Sequence, residues 1–189
     1  MRCTVWRRIV GMKWWMVIPV GGLLVGCVPS EPTQREYRRD FSDREQQLLA
    51  AARGIIDSAY YGTLITLRGG VPKARVMEPF RPDSEMVVWM GTHRRTRKLD
   101  EIRFYPIGTL HFFARQLPAY VSLYGRIDIV EDGKMKDSFW MPSWSAFYRT
   151  KEDYVLLRFV PDSMELIDVS RGYTGDTATW RPAVVVLRR

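Results

Sequence analysis

The sequence predicts an α+β fold with an antiparallel β-barrel at its centre and helices at its periphery. Three observations carry this. About seven short runs alternate apolar and polar residues or are rich in β-branched and aromatic side chains. Most of these runs follow one another across turn residues, not across helices, which disfavours a parallel sheet built from crossover units. Only two or three stretches carry helical spacing, and strand upon strand with few helices is the pattern of a barrel.

The elements follow in order. A helix begins at Ser42, three residues before Glu45, a capping-box spacing, and Leu48, Leu49, Ala52, Ile55, Ile56 and Ala59 recur along one face. Residues 63–67 lead through Gly69-Gly70 into residues 73–77, a hairpin by its turn chemistry. Residues 85–90 form a third strand, and a short helix starts near Thr96 and stops near Pro106. Two more strands cover 108–114 and 120–130, the second with Val121, Leu123, Gly125, Ile127 and Ile129 on one face. Asp132-Gly133 turns the chain into a second helical stretch, 135–147, dense in aromatics. Residues 154–160 and 164–169 are predicted as a hairpin across Pro161-Asp162-Ser163. A loop rich in Gly and Thr, 172–179, precedes a last apolar run at 183–187.

The N-terminus predicts an export signal over residues 1–26. Arg2, Arg7, Arg8 and Lys13 precede an apolar stretch at 14–25, too short to span a bilayer comfortably, and no acidic residue occurs before Glu31. The stretch ends in Leu24-Val25-Gly26-Cys27, which resembles a bacterial lipobox and implies lipidation of Cys27. Residues 27–40, with Pro29 and Pro32, then form a tether to a folded domain at 41–189. The expected location is the cell envelope, with the membrane engaged through the lipid alone. Two questions stay open: whether Met1 or Met12 starts the chain, and whether Arg7-Arg8 belongs to a twin-arginine signal.

Loss of the signal removes its four cations and lowers the net charge from +8 to +4. That moderate excess, with no reader motif, argues against nucleic acid. Cys3 would leave with the signal and Cys27 would carry lipid, so no disulfide is expected. With only His93 and His111 in the chain, a multi-histidine metal site is excluded, and no carboxylate spacing points to a metal.

Chemistry concentrates at Gly91-Thr92-His93-Arg94-Arg95-Thr96-Arg97-Lys98. This link places two hydroxyls and four cations beside Thr96, where a helix would present unpaired backbone N–H groups and the positive end of its dipole. Such a set of directed donors suits a phosphate monoester. His93 is read as a hydrogen-bonding or surface residue and His111 as a structural one. Trp140, Trp144 and Phe147 are read as core or subunit contacts.

The order of parts resembles the pyridoxamine 5′-phosphate oxidase-like superfamily over roughly residues 43–187. The resemblance rests on Arg75-Val76-Met77, on Gly91-Thr92, and on Thr96-Arg97-Lys98-Leu99. The segments Asp137-Ser138-Phe139-Trp140-Met141-Pro142-Ser143-Trp144 and Met164-Glu165-Leu166-Ile167-Asp168 look most like its general stress protein branch. It implies an FMN-binding antiparallel split β-barrel of Greek-key type, and a homodimer with the flavin in the cleft between subunits. Arg75, Thr92, Thr96, Arg97 and Lys98 would hold the FMN phosphate. Val76 and Met77 would present backbone to the isoalloxazine, and Trp180 would close over the flavin edge or serve as a core anchor.

The chain also departs from that pattern. Phe80 stands where true pyridoxamine phosphate oxidases carry a lysine, and the chain closes with Val184-Val185-Val186-Leu187-Arg188-Arg189 in place of their substrate-seating segment. Vitamin B6 oxidation is therefore not expected. The expectation is a flavin-dependent oxidoreductase of unassigned substrate, with no general base evident. The alternative is a non-enzymatic carrier of flavin or of a deazaflavin. Heme, found among relatives, lacks an evident axial ligand beyond the two histidines.

Overall fold

The computed structural model describes residues 40–188 apart from Arg115 and Leu117. The predicted signal, Cys27 and the tether up to residue 39 lie outside the described residues. Helix α1 (Asp43–Ala59) starts at its capping box: the Glu45 N–H donates to Ser42 Oγ at 3.4 Å, and the Ser42 N–H donates to the Glu45 carboxylate at 3.0 Å. Its apolar stripe buries Leu48, Ala51, Ala52, Ile55 and Ile56 against the barrel. Strands β1 (Gly62–Arg68) and β2 (Val71–Met77) pair antiparallel. Gly69 and Gly70 join them at φ of 57° and 77°, the left-handed conformation that a tight two-residue hairpin turn demands.

Strand β3 (Val88–His93) begins later than the sequence predicts. Met86 sits at φ 64°, and the backbone N–H groups of Glu85 and Val87 both donate to the Asp83 carboxylate at 2.9 Å. Residues 83–87 are thereby held in a turn. Helix α2 (Arg97–Phe104), β4 (Ile107–Ala114) and β5 (Ala119–Val130) follow as expected. The predicted helical stretch at 135–147 is instead split into α3 (Gly133–Ser138) and a 3₁₀ turn, Pro142–Ala146. Met141 precedes a proline and adopts φ −101°, ψ 131°, so a continuous helix cannot pass through it.

The predicted hairpin at 154–169 is a single strand, β6 (Tyr154–Asp168), paired with β5 along its length. Gly125 pairs with Pro161 and Tyr124 with Ser163, which leaves Asp162 as the extra residue of a bulge. A proline fits there because a bulge does not need its missing N–H. Gly125 is required opposite it, since a Cβ at that position would lie 2.2 Å from the Val160 carbonyl oxygen. Strand β7 (Ala183–Val186) pairs with the second half of β6.

The sheet runs β2-β1-β4-β5-β6-β3, every pairing antiparallel, with β7 attached to β6. An isolated bridge from Pro79 to Met90, with the Phe80 N–H donating to the Trp89 carbonyl at 2.8 Å, lays the chain that follows β2 against β3. The architecture is a split barrel. Leu64, Met90, Leu110, Phe112, Leu123, Leu157 and Phe159 fill it, and α1 packs on the same cluster. A second, aromatic cluster lies outside the barrel around Trp144, Tyr154 and Leu156.

Candidate functional site

Side chains alternate along β1 and β2, so Thr66 and Arg75 share the inward face while Val76 points outward. Helix α2 lies over β1 and lowers Glu101 onto that face. There Arg75 Nη1 donates to Thr66 Oγ1, Arg75 Nη2 donates to Glu101 Oε2, and Thr66 Oγ1 donates to the same carboxylate oxygen, each at 2.5 Å. Thr66 and Glu101 are buried, and the Arg75 side chain keeps 22% of its surface exposed. Burial pushes the Glu101 carboxyl upward. The bonds from Thr66 and Arg75, with the charges of Arg75 and Arg97, outweigh it and hold the group below its ordinary value.

The second half of the cluster comes from the end of β3 and the start of α2. Lys98 Nζ donates to Thr92 Oγ1 at 2.7 Å, and the Thr92 and Thr96 hydroxyls stand 3.4 Å apart. Thr96 is the N-cap of α2, yet its hydroxyl makes no capping bond and faces Thr92 instead. Burial first, then the nearby Arg75 charge, lower the Lys98 pKa, with Glu101 acting against them. Glu101 is bonded to Arg75 and stands three residues after Lys98 on α2, so the three charges are neighbours. Arg97 is exposed beside it.

Of the residues singled out in the sequence, the structure gathers Arg75, Thr92, Thr96 and Lys98, with Arg97 at the rim. Val76 lies on the outer face, 68% exposed, and Met77 is buried in the barrel. Trp180 is 87% exposed in the loop before β7, and no bond or ring contact joins it to this cluster among the described residues. His93 is occupied elsewhere: its Nδ1 accepts the Arg95 N–H at 3.1 Å and its ring stacks on Tyr148. His111 pairs with Ser122 at 3.0 Å on the outside of the sheet, and burial lowers its pKa. Trp144 is buried and Trp140 half-buried in the aromatic cluster, whereas Phe147 is 75% exposed.

Two members of the cluster escaped the sequence reading, Thr66 and Glu101. Glu101 could have been found, because it stands four residues after Arg97 and three after Lys98 and therefore shares their side of a helix. Thr66 has no comparable local mark.

A curled antiparallel sheet with cations and hydroxyls gathered where α2 begins defines a split-barrel protein. The profile of the family described as pyridoxamine 5′-phosphate oxidase like matches residues 49–178, and the chain belongs to that family. Three solved structures illustrate the likeness. General stress protein 26 from Bacillus anthracis str. Sterne is 27% identical with a TM-score of 0.56, over 64% of this chain and 94% of that one. A pyridoxamine 5′-phosphate oxidase-related, FMN binding protein from Nostoc punctiforme is 13% identical with a TM-score of 0.53, over 80% and 100%. A heme binding protein from Mycobacterium smegmatis is 16% identical with a TM-score of 0.55, over 72% of this chain and 56% of that chain. No curated protein matches the chain.

Proposed function

We propose that this chain is a lipid-anchored, FMN-binding flavoprotein of the cell envelope that serves as an oxidoreductase on a substrate other than pyridoxamine phosphate. One observation carries the reading: Thr92, Thr96 and Lys98 are linked by hydroxyl and ammonium contacts at the start of α2, and Arg75 of β2 is bonded to Glu101, one helical turn beyond Lys98. The chemistry of the seat fits a phosphate monoester. Lys98 spends one of its three N–H donors on Thr92, the Thr92 and Thr96 hydroxyls share a contact with two protons between them, and Arg75 retains donors beyond those used on Thr66 and Glu101. The first N–H groups of α2 and the Arg97 charge add to the same field.

In this reading the phosphate rests on Arg75, Thr92, Thr96, Arg97 and Lys98, and the ring lies along the backbone of Val76 and Met77. Trp180 is not assigned to it. Bound FMN supplies the electron and hydride chemistry, and the protein supplies binding and orientation. A flavin is favoured over heme because both histidines are engaged away from the seat, His93 with Arg95 and Tyr148, and His111 with Ser122. The protein is proposed to work as a homodimer. Its outer sheet face exposes Val76, Ile107, Phe113, Tyr124, Val184 and Val186, a cover of apolar surface that a second copy would remove from water.

The test is a titration of the full chain with FMN, followed through the visible flavin bands. Saturable binding is expected, weakened roughly tenfold or more in Arg75→Ala and in Lys98→Ala. A folded protein that leaves the FMN spectrum unchanged sinks the proposal. Turnover with a reduced nicotinamide or a quinone then separates an oxidoreductase from a carrier, and the absorbance of the purified protein separates FMN from a deazaflavin.

A further inference from the structure

Arg75 has two edges with which to grip an oxyanion, and the structure says which is free. Thr66 Oγ1 and Glu101 Oε2 are only 2.5 Å apart, and one accepts from Nη1 while the other accepts from Nη2. Two acceptors that close together cannot sit on opposite flanks of a guanidinium. They must share the end edge, between Nη1 and Nη2, as the two oxygens of a carboxylate do. The arrangement is a closed ring: Arg75 to Thr66, Thr66 to Glu101, and Arg75 to Glu101. It consumes the single hydroxyl proton of Thr66 and fixes the plane of the guanidinium.

We propose that Thr66 and Glu101 are the positioning pair for Arg75, holding its end edge so that the Nε–H side edge is turned to the ligand phosphate. This rests on the flavin reading above and adds to it two residues that touch no ligand. The pair also sets the charge of the seat. Arg75 from β2, Arg97 and Lys98 from α2 supply three cations, and among the described residues Glu101, bonded to Arg75, supplies the carboxylate. Lys98 also donates to the neutral Thr92 of β3. A buried Glu101 thus leaves the seat with a charge that matches a phosphate monoester dianion. It also supports the protonated form of Lys98 against burial and against Arg75.

The experiment compares FMN with riboflavin, which lacks the phosphate, by titrating each into the full chain. Wild-type protein is expected to prefer FMN. Glu101→Ala and Thr66→Val are expected to lower that preference about tenfold while leaving riboflavin affinity in place, and Thr66→Ser is expected to restore it. Glu101→Gln keeps the acceptor but not the charge, so its FMN affinity is expected to fall at a lower pH than in the wild type as Lys98 deprotonates earlier. A merely structural role would not shift that alkaline limb. Should Glu101→Ala fail to fold, Thr66→Val and Glu101→Gln carry the test.

Stronger FMN binding in Glu101→Ala would mark Glu101 as a competing anion and overturn the proposal. An unchanged preference in both Glu101→Ala and Thr66→Val would overturn it as well. Wild-type protein that binds neither flavin overturns the flavin reading and this inference together. Retained wild-type preference with indifferent variants overturns the inference alone.

Discussion

A methyl group placed on Gly91 would meet Trp144 Cη2 at 2.7 Å and Tyr154 Cε2 at 3.2 Å. Gly91 therefore does two jobs in the Gly91-Thr92 pair: it seats the aromatic cluster on the outside of β3 while Thr92 turns inward to Lys98. Both obstacles are ring atoms held in a packed cluster, so Gly91→Ala is expected to cost about 1–3 kcal/mol, read as a lowered Tm. Lys98 makes a second prediction at this scale. Burial and the Arg75 charge lower its pKa from the ordinary lysine value, so its charge is lost earlier on the alkaline side than an ordinary lysine's. A bound phosphate needs that charge, so FMN affinity should fall as pH rises through the Lys98 pKa. The sign for folding is opposite: the unfolded chain holds the proton longer, so this group's contribution to stability rises with pH across the same window. Lys98→Arg, which stays charged, should flatten the alkaline fall in affinity, and flavin titrations across pH check it.

Among the elements, local chemistry set the ends that the sequence revealed. Ser42 and Glu45 marked the start of α1 because both halves of a capping box lie within four residues of each other. Ser42→Ala is expected to cost about 1 kcal/mol, measurable by chemical denaturation. The β1–β2 turn was equally legible, since Gly69-Gly70 has few other uses between alternating runs. Strand β6 was not. Pro161-Asp162-Ser163 carries the residues of a turn, and the same residues make a bulge when a long partner strand lies alongside. Only β5, some forty residues earlier in the chain, decides between them. Gly125→Ala should break that pairing, because its Cβ would meet the backbone of Val160 and Pro161, at 2.2 and 2.5 Å, with no flexible side chain to move aside. Amide exchange is expected to show protection across 154–168 in the wild type and a loss centred on 160–163 in the variant. The seat divides in the same way. The 92–98 link could be read from residue type and spacing and Arg75 only through the family resemblance, whereas Thr66 joins the site only through its burial beneath α2.

For the whole molecule, the outer face of the sheet is the surface on which the proposed dimer rests. Strand pairing puts Val76, Ile107, Phe113, Tyr124, Val184 and Val186 on one side, interspersed with the His111–Ser122 and Tyr124–Glu165 hydrogen bonds. Phe113→Glu would place a charge in the middle of the surface proposed to be shared by two copies. Sedimentation is expected to show a dimer for the wild type and a shift toward monomer for this variant, with Tm little changed in the monomer because Phe113 is more than half exposed.

Strand β7 has a different consequence. Among the described strands it pairs with β6 alone, so it lies at a margin of the sheet. Such margins recruit stray chains and seed fibrils. Here the margin is four residues long, with Pro182 at its entrance, where no N–H can be offered. At its exit Arg188 is drawn across to the Pro161 carbonyl and stands 3.5 Å from the Glu85 carboxylate. A proline gate and an arginine gate thus flank the apolar Ala-Val-Val-Val run at that margin.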